Sequence, residues 1–185
     1  MSVRSDFVSK YNNYVQQITQ GTGIFPETVF AQAIIESQEN GELPGTTLAK
    51  TYNNYFGIKD SADWTGQVVN LKTKEVYNGQ TQSETDGFRV YKTPQDSFKD
   101  YVDFLQSNDR YAKAGVFDAT DVQSQAQALQ NAGYATNPNY AALINSVANS
   151  IADYITPLNV ALGFGLLALM IGGLWYFSSN KKTAA

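Results

Sequence analysis

The stretch Pro26-Glu-Thr-Val-Phe-Ala-Gln-Ala-Ile-Ile-Glu36-Ser37 decides the fold. Its apolar residues cover nearly every face of a helix, which is the pattern of a helix buried on most sides. Pro26 suits the first helical position, because its missing N–H costs no hydrogen bond there. The sequence therefore predicts a buried central helix that begins at Pro26 and ends on the carboxylate of Glu36.

The surroundings of Glu36 suggest a proton donor. Ile34 and Ile35 bring this carboxylate up against packed hydrocarbon, and burial raises a carboxyl pKa because it disfavours the charged form. A glutamate in that setting can hold a proton near neutral pH and deliver it to a leaving group. The alternative is a glutamate that simply emerges at a helix C-terminus, where the helix dipole disfavours negative charge. This stretch alone leaves both interpretations open.

The composition excludes several kinds of chemistry. The chain has 185 residues, no cysteine and no histidine, so it allows one ordinary domain with an appendage. Disulfides, Cys/His zinc sites and Ser-His or Cys-His nucleophile systems are excluded, which leaves carboxylates, tyrosines and lysines for any chemistry. The net charge is −4 and no basic stripe is present, so nucleic-acid binding is not expected.

The C-terminal residues differ from everything before them. Leu158 to Phe177 are almost entirely apolar, with Asn159 as the strongly polar exception, and at 1.5 Å per residue they are long enough to cross a hydrocarbon core of roughly 30 Å. A buried core helix is the alternative, but such helices rarely run this long without a charge. We expect a domain at 1–156, a membrane span at 157–178 that contacts lipid through Leu158 to Phe177, and a basic tail at 179–185. Trp175 and Tyr176 lie at the end of the apolar stretch as aromatics typical of a membrane interface, and Lys181 and Lys182 follow it.

Four further helices are predicted from apolar spacing and capping residues. The first is capped by Ser5 or Asp6 and ends at Gly21, and the second is capped by Thr93, with Pro94 at its first position and Asp96 as the capping-box acid. The third runs from about Val122 to Leu129 and is ended by Gly133. The fourth is capped by Asn137 and has Pro138 at its start. Gln38 to Thr51 is predicted to be a loop.

The segment from Trp64 to Tyr91 has the pattern of short strands. Its alternating apolar residues flank Asn78-Gly79, which is a strong hairpin signal. The predicted fold class is therefore α+β, with a mainly helical lobe and a small antiparallel β lobe. Glu75 lies on the predicted hairpin beside Lys72 and Lys74, and a solvated ion pair is the ordinary interpretation of such a strand charge.

Several stretches, taken in order, resemble glycoside hydrolase family 73, the peptidoglycan N-acetylglucosaminidases, above all the branch found in flagellar rod-assembly proteins. The likeness covers roughly residues 24–150, and each piece is weak while the ordered set is specific. The matching pieces include Ala33-Ile-Ile-Glu36-Ser37, Tyr52-Asn-Asn-Tyr-Phe-Gly-Ile-Lys59, Trp64-Thr-Gly66, Lys74-Glu75-Val-Tyr77, Phe88-Arg-Val-Tyr91, Asn108-Asp-Arg-Tyr111 and Gly133-Tyr-Ala-Thr-Asn-Pro-Asn-Tyr140.

The resemblance implies a lysozyme-like fold with a sugar-binding cleft between the two lobes. It implies that Glu36 is the proton donor, that Glu75 is a base or stabilising carboxylate despite its ordinary interpretation, and that Tyr134 lines the cleft near the acid. No metal or cofactor is expected. The substrate-binding candidates are Tyr55, Phe56, Trp64 and Asn137; for the first three, core packing is an equal alternative.

Two positions depart from the family pattern. Gln38-Glu39-Asn40 stands where the family usually has Gly-Trp-Gly, so an aromatic side chain is missing, and Glu39 could raise the pKa of Glu36 if the helix extended that far. Asn137 replaces the aspartate of the tyrosine motif and can still cap a helix. Neither change removes a catalytic position.

The resemblance and the C-terminal residues together imply a membrane-anchored enzyme that cleaves peptidoglycan. Lys181 and Lys182 beyond the span place the domain outside the cytoplasm, yet Met1-Ser-Val-Arg runs straight into a helix, so no export sequence is expected. A virion-associated lysin in a bacteriophage with a membrane-containing capsid reconciles the two, with capsid or membrane proteins as neighbours and the bacterial envelope as the alternative location. A lytic transglycosylase and a non-catalytic wall-binding protein are the alternative functions.

Overall fold

The computed structural model of the chain describes residues 2–77 and 80–157, with the side chains of residues 74–83 excluded from that description. Within these ranges the fold is α+β, with a helical body and one antiparallel hairpin. The helices are α1 (Val3–Thr19), α2 (Pro26–Ser37), α3 (Thr47–Tyr52), α4 (Pro94–Ser107), α5 (Asp109–Lys113), α6 (Val122–Asn131) and α7 (Tyr140–Ile151), with short 3₁₀ turns at Val116–Asp118 and Ala152–Tyr154.

Helix α2 lies at the centre of the body, as the sequence predicts. It packs against α1, α6 and α7, and Pro26 occupies its first turn. Val29, Phe30, Ala33 and Ile34 are at most 1% exposed. Truncating a fully buried aromatic side chain such as Phe30 typically costs about 3–5 kcal/mol, so this packing fixes the direction in which the end of α2 points.

The structure confirms the predicted N-terminal cap of α4 and corrects that of α1. Thr93 caps α4 in a capping box with Asp96, and Pro94 is at the first position, as predicted. The predicted cap of α1 at Ser5 or Asp6 is wrong, because Ser2 is the cap and Ser5 is its capping-box partner three residues on.

Two other predicted boundaries need correction. The stretch Gln38 to Thr51 is not all loop, because Thr46 caps the short helix α3 through its side chain. Helix α7 begins at Tyr140 rather than at Pro138. Asn137 still acts just before it, since its Oδ1 accepts the backbone N–H of Asn139 at 2.9 Å.

The β lobe is a single hairpin in the described residues rather than several short strands. Strands β1 (Val68–Tyr77) and β2 (Gln80–Arg89) pair antiparallel from Val68 opposite Arg89 to Tyr77 opposite Gln80. This register brackets the predicted Asn-Gly turn, whose two residues lie outside the described ranges. Ten residues at about 3.3 Å each make a long arm.

The hairpin is tied to the body at its base. The backbone N–H of Asp60 donates to Gly87 O at 3.0 Å, that of Arg89 to Ile58 O at 3.1 Å, and that of Val90 to Gln67 O at 2.9 Å. Through the first two of these bonds the segment 58–60 pairs with the end of β2, at the base of the arm.

In residues 2–77 and 80–157, no helix combines the length and apolar character needed to cross a bilayer. The predicted span from Leu158 to Phe177 and the basic tail lie outside the described residues.

Candidate active site

Glu36 lines a cleft of about 530 Å³ between the helical body and the base of the hairpin. It reaches the cleft from the last turn of α2, because the buried residues before it fix the helix in the core. The opposite side is formed by the segment 56–61 and by Arg89 at the end of β2, and the far end by α5 and the loop 133–136. The acid predicted from the sequence thus lines a site large enough for a sugar ring.

The environment of Glu36 favours its protonated form. Burial raises the pKa of this carboxyl above the ordinary value for glutamate, and a hydrogen bond from Tyr140 opposes that rise without cancelling it. Glu39 does not contribute, because α2 ends at Ser37 and Glu39 lies in an exposed turn where it pairs with Glu42 through the backbone. The conditional expectation that Glu39 raises this pKa is therefore wrong.

A chain of three buried side chains ends on Glu36. Tyr101 Oη donates to Gln32 Oε1, Gln32 Nε2 donates to Tyr140 Oη at 2.9 Å, and Tyr140 Oη donates to Glu36 Oε1 at 2.9 Å. All three side chains are at most 2% exposed. We call this set, Tyr101, Gln32 and Tyr140, the tyrosine–glutamine chain.

Tyr134 lies in the same cleft as Glu36, as the family resemblance implies. Its ring stacks on that of Tyr140, with centroids 5.9 Å apart and planes 12° apart, and its hydroxyl donates to Phe56 O at 3.2 Å. Burial raises the pKa of Tyr134, so its hydroxyl stays neutral at physiological pH. Tyr134 therefore presents a fixed, uncharged edge to a ligand.

Arg89 holds the hairpin side of the cleft in place. Its guanidinium binds both oxygens of Asp100 on α4 at 3.0 Å and donates to Ser61 Oγ at 2.7 Å. Tyr91 also donates to Asp100, at 2.6 Å. Nη1 contacts both carboxylate oxygens while Nη2 bonds Ser61, and such a charge-assisted, largely buried set of bonds fixes geometry more firmly than an exposed ion pair, so it couples the base of the arm to the helical body.

The predicted substrate-stacking residues are placed differently from one another. Tyr55 is 3% exposed and its ring stacks on Phe7 and Phe98, so the core alternative is correct for it. Phe56 is also nearly buried, but it lines the cleft while stacking on Tyr101 with centroids 4.1 Å apart.

Trp64 and Asn137 lie outside the cleft lining. Trp64 lines an adjoining cavity of about 330 Å³ that shares Ser61, Arg89 and Phe104 with the cleft. One face of its ring is covered, since the Arg89 guanidinium carbon lies 4.7 Å from the ring centroid. Asn137 is exposed in the loop before α7, one residue beyond the cleft-lining Thr136.

The second predicted carboxylate, Glu75, lies on β1 opposite Gln82, near the far end of the arm. Its side chain is outside the described set, so its role as base or stabilising group stays a prediction. Asp60 is an acid that the described residues do bring into the cleft with Glu36, and its carboxylate lies over Gly87, where an added Cβ would meet Oδ1 at 2.6 Å. Among residues 2–77 and 80–157, no group of three or more acidic side chains is arranged to hold a metal ion.

The comparisons with known proteins agree with this architecture. Residues 12–153 match the glucosaminidase family model, described as mannosyl-glycoprotein endo-beta-N-acetylglucosaminidase. The chain belongs to the glucosaminidase family. It is 36% identical over 150 residues to the peptidoglycan hydrolase FlgJ of Salmonella typhimurium, an alignment that covers 77% of this chain and 44% of that protein.

Solved structures of peptidoglycan hydrolases have the same fold as this chain. The peptidoglycan hydrolase from Sphingomonas sp. A1 matches with a TM-score of 0.67 at 30% identity, covering 86% of this chain and 99% of that one. The glycoside hydrolase domain of Salmonella FlgJ matches with a TM-score of 0.58 at 30% identity, covering 97% and 98%. The chain spans about half the length of the curated relatives it matches first, 44% to 48% of each.

Some residues of this glucosaminidase site were missed by the sequence analysis. Gln32 is the one residue of the buried hydrogen-bond chain that the sequence marks as unusual, because it is the only strongly polar residue inside the apolar run of α2. Tyr140 ends the motif Gly133-Tyr-Ala-Thr-Asn-Pro-Asn-Tyr140, but its sequence position does not indicate a contact with Glu36. Asp60 and Arg110 reach the cleft only through tertiary packing, and a one-dimensional pattern carries no signal for that.

Proposed function

We propose that this chain hydrolyses the β-1,4 bond between N-acetylglucosamine and N-acetylmuramic acid in peptidoglycan. The observation that carries the proposal is a largely buried Glu36 with a raised pKa that lines a cleft of about 530 Å³. In that position Glu36 protonates the leaving oxygen as the glycosidic bond breaks. Family membership and the likeness to peptidoglycan hydrolases support this substrate over other glycans.

The second carboxylate of the mechanism comes from the hairpin side of the cleft. We favour Glu75, which the family resemblance implies, as the group that activates water or stabilises the oxocarbenium-like state. It reaches the substrate when the arm closes over the glycan, a kind of motion common in enzymes that cover their substrates. Asp60, which lines the cleft at the base of the arm, is the competing candidate.

Tyr134 and Arg110 position the substrate in this proposal. Tyr134 lies beside the acid and offers its edge to the acetamido sugar. Arg110 stacks on Tyr111, with its guanidinium carbon 4.7 Å from the ring centroid, and donates to the Tyr111 hydroxyl at 2.6 Å. Of the cations that line the cleft in the described residues, Lys59 pairs with Asp86 and Arg89 with Asp100, and we propose that Arg110 meets a carboxylate of the muramyl peptide stem.

Digestion of purified peptidoglycan in H₂¹⁸O, followed by mass spectrometry, tests the reaction type. The proposal predicts fragments with a new reducing N-acetylglucosamine that carries one ¹⁸O atom, because water enters at the cleaved bond. An anhydro-sugar without ¹⁸O identifies a lytic transglycosylase instead. Undegraded wall that nevertheless retains the protein identifies a non-catalytic wall-binding protein.

We further propose that Leu158 to Phe177 anchor the enzyme in the membrane of a bacteriophage virion, with the domain facing the capsid shell. The sequence of that stretch and the position of Lys181 and Lys182 support this orientation. Detergent extraction of purified virions followed by immunoblotting tests it, and the protein is expected in the detergent fraction. Finding it only in the host envelope, with its N-terminal domain open to protease in spheroplasts, contradicts the virion location and favours a cellular wall-remodelling enzyme.

A further inference from the structure

The tyrosine–glutamine chain does more than fill space beside Glu36. Gln32 and Tyr101 are wholly buried, and Tyr140 is 2% exposed, yet each hydroxyl and amide group of the three has a partner along one line. Burying three polar side chains in the centre of a core is costly unless every group is bonded. Their common end point is one oxygen of the acid.

Resting on the proposed function, we propose that the buried Gln32 amide keeps this hydrogen-bond chain in one direction and so holds the transferable proton of Glu36 on Oε2, the oxygen not bound by Tyr140. Gln32, Tyr140 and Tyr101 are then positioning residues, since none of them needs to touch the substrate. The tyrosine–glutamine chain determines which oxygen of Glu36 carries the proton.

The direction of the chain is set by the orientation of the Gln32 amide. A phenol has one hydrogen to donate, whereas an amide has an accepting end and a donating end. Gln32 Oε1 is taken by Tyr101, so Gln32 Nε2 faces Tyr140 and donates to it. The oxygen of Tyr140 is thereby occupied, and its single hydrogen points at Glu36 Oε1. The carbonyl oxygen of a carboxylic acid accepts a hydrogen bond better than its hydroxyl oxygen does, so the carboxyl proton resides on Oε2.

The reverse direction would disable the acid. If the Gln32 amide turned over, Tyr140 would donate to Gln32, and protonated Glu36 would donate its hydrogen into Tyr140, away from the substrate. When Glu36 is ionised this arrangement fails, because a carboxylate can only accept. The forward direction is therefore set each time Glu36 gives up its proton, and close packing around Gln32 hinders the turnover while the proton is regained.

Proton transfer then balances simply. The Oε2–H bond breaks as the leaving oxygen gains the hydrogen, and the carboxylate that remains keeps the Tyr140 hydrogen bond on Oε1. Within the described residues Tyr140 makes the one side-chain hydrogen bond to Glu36. The other titratable or charged groups near Glu36 are the buried Tyr101 on α4 and the groups that line the cleft, which are Tyr111 and Arg110 on α5, Tyr134, Lys59, Asp60 and Arg89.

Two readouts on the purified full chain test the proposal. The first is a ¹³C titration of the glutamate carboxyls, with the Glu36 signal assigned by its absence in Glu36→Gln. The second is the pH profile of kcat/KM on peptidoglycan fragments, whose alkaline limb reports the acid in the free enzyme. The titration needs no substrate, so it tests the role of the tyrosine–glutamine chain even if the proposed reaction is wrong.

The variants are Tyr140→Phe, Gln32→Met and the control Tyr91→Phe. Tyr140→Phe removes the bond that stabilises the carboxylate, so the Glu36 titration and the alkaline limb both move to higher pH, while kcat at the plateau falls between about 10-fold and 100-fold as the acid loses its orientation. Gln32→Met shifts both in the same direction by less. Tyr91→Phe also removes a buried hydroxyl that donates to a carboxylate, here Asp100, and leaves the Glu36 titration at its parent position.

Unchanged titration and pH profile in both Tyr140→Phe and Gln32→Met overturn the proposal, whatever happens to stability. If Gln32→Met fails to fold, Tyr101→Phe tests the same direction from the far end, because it frees Gln32 Oε1 and is expected to give the smaller upward shift. Shifted titration without any wall digestion by the parent chain supports the proton placement and counts against the proposed reaction.

Discussion

The two sides of the cleft are built in opposite ways. The helical side carries Glu36 at the end of a helix whose inner residues are at most 1% exposed, and a buried hydrogen-bond chain reaches the carboxylate from behind. The hairpin side is a two-stranded arm joined to the body at its base by a few backbone bonds and by Arg89. In the proposed mechanism the proton donor therefore lies on the buried, firmly packed side of the cleft, whereas the second carboxylate lies on an arm that is joined to the body mainly at its base.

Glu36→Gln is the substitution expected to have the largest effect. It removes the proton donor, so digestion of peptidoglycan should fall by at least about 10²- to 10⁴-fold. Rates of release of soluble muropeptides measure this. Glu39→Gln is the matched control, since Glu39 is exposed just beyond α2, and its rate should stay near that of the parent; an equal loss in both variants would show that general charge, not proton donation, is at issue.

The same variant should be more stable than the parent at neutral pH. The pKa of Glu36 is raised in the folded chain by burial, so as pH rises above 4.5, the ordinary value for glutamate, the unfolded chain loses this proton first. Stability from this group is therefore full below pH 4.5 and is lost as pH rises toward the folded pKa. Thermal melts at pH 4 and pH 8 should show Glu36→Gln gaining over the parent only at pH 8, and an equal gain at both would contradict the raised pKa.

Core and arm should also differ in how much stability they carry. Phe30→Ala in α2 is expected to lower the free energy of unfolding by about 3–5 kcal/mol, because Phe30 is fully buried. Thr85→Ala, at an exposed position on β2, should change it by less than about 0.5 kcal/mol. Urea unfolding followed by circular dichroism gives both values. Similar losses in the two variants would mean that the arm is packed as firmly as the body.

Arg89→Lys probes the joint between the two sides. Lysine keeps the charge, but its single ammonium cannot bind Asp100, Ser61 Oγ and Lys59 O at the same time as the guanidinium does, so the arm should lose its orientation while the core stays folded. We expect wall digestion to fall by about 10-fold and amide hydrogen exchange to quicken at Gly87 to Val90, with α2 unaffected. Exchange that quickens throughout α2 as well would show that Arg89 supports the whole fold instead.

The smaller effects concern the second carboxylate. Glu75→Gln should reduce digestion of intact walls more than Asp60→Asn does, since Glu75 is the proposed base and Asp60 lines the cleft without that role. Both should fall short of the loss in Glu36→Gln, because a group delivered by a moving arm acts only in the closed state. A larger loss in Asp60→Asn would transfer the second role to the base of the arm.

Much of the helical side could be predicted from the sequence, and less of the hairpin side. The apolar run before Glu36 and the capping box at Thr93 are local signals, and both gave the right elements. The stacking role suggested for Tyr55 failed because an aromatic residue looks the same in a sequence whether it faces the core or a cleft. Gln32 and Tyr140 act through partners more than 100 residues away in the chain and Arg89 through Ser61, 28 residues before it, so their roles become visible only in three dimensions.

The most direct test of the central claim is whether Glu36→Gln recovers activity when the leaving group needs no proton. The substrate is a wall glycan fragment that carries 2,4-dinitrophenol at the cleaved position, and the measurement is kcat for parent and variant on it and on the natural glycan. If Glu36 is the general acid on the fixed side of the cleft, the variant should lose at least about 10²-fold on the natural glycan and only a small factor on the activated one. Equal losses on both substrates would contradict the account, because the role of Glu36 would then lie in something other than protonating the leaving oxygen.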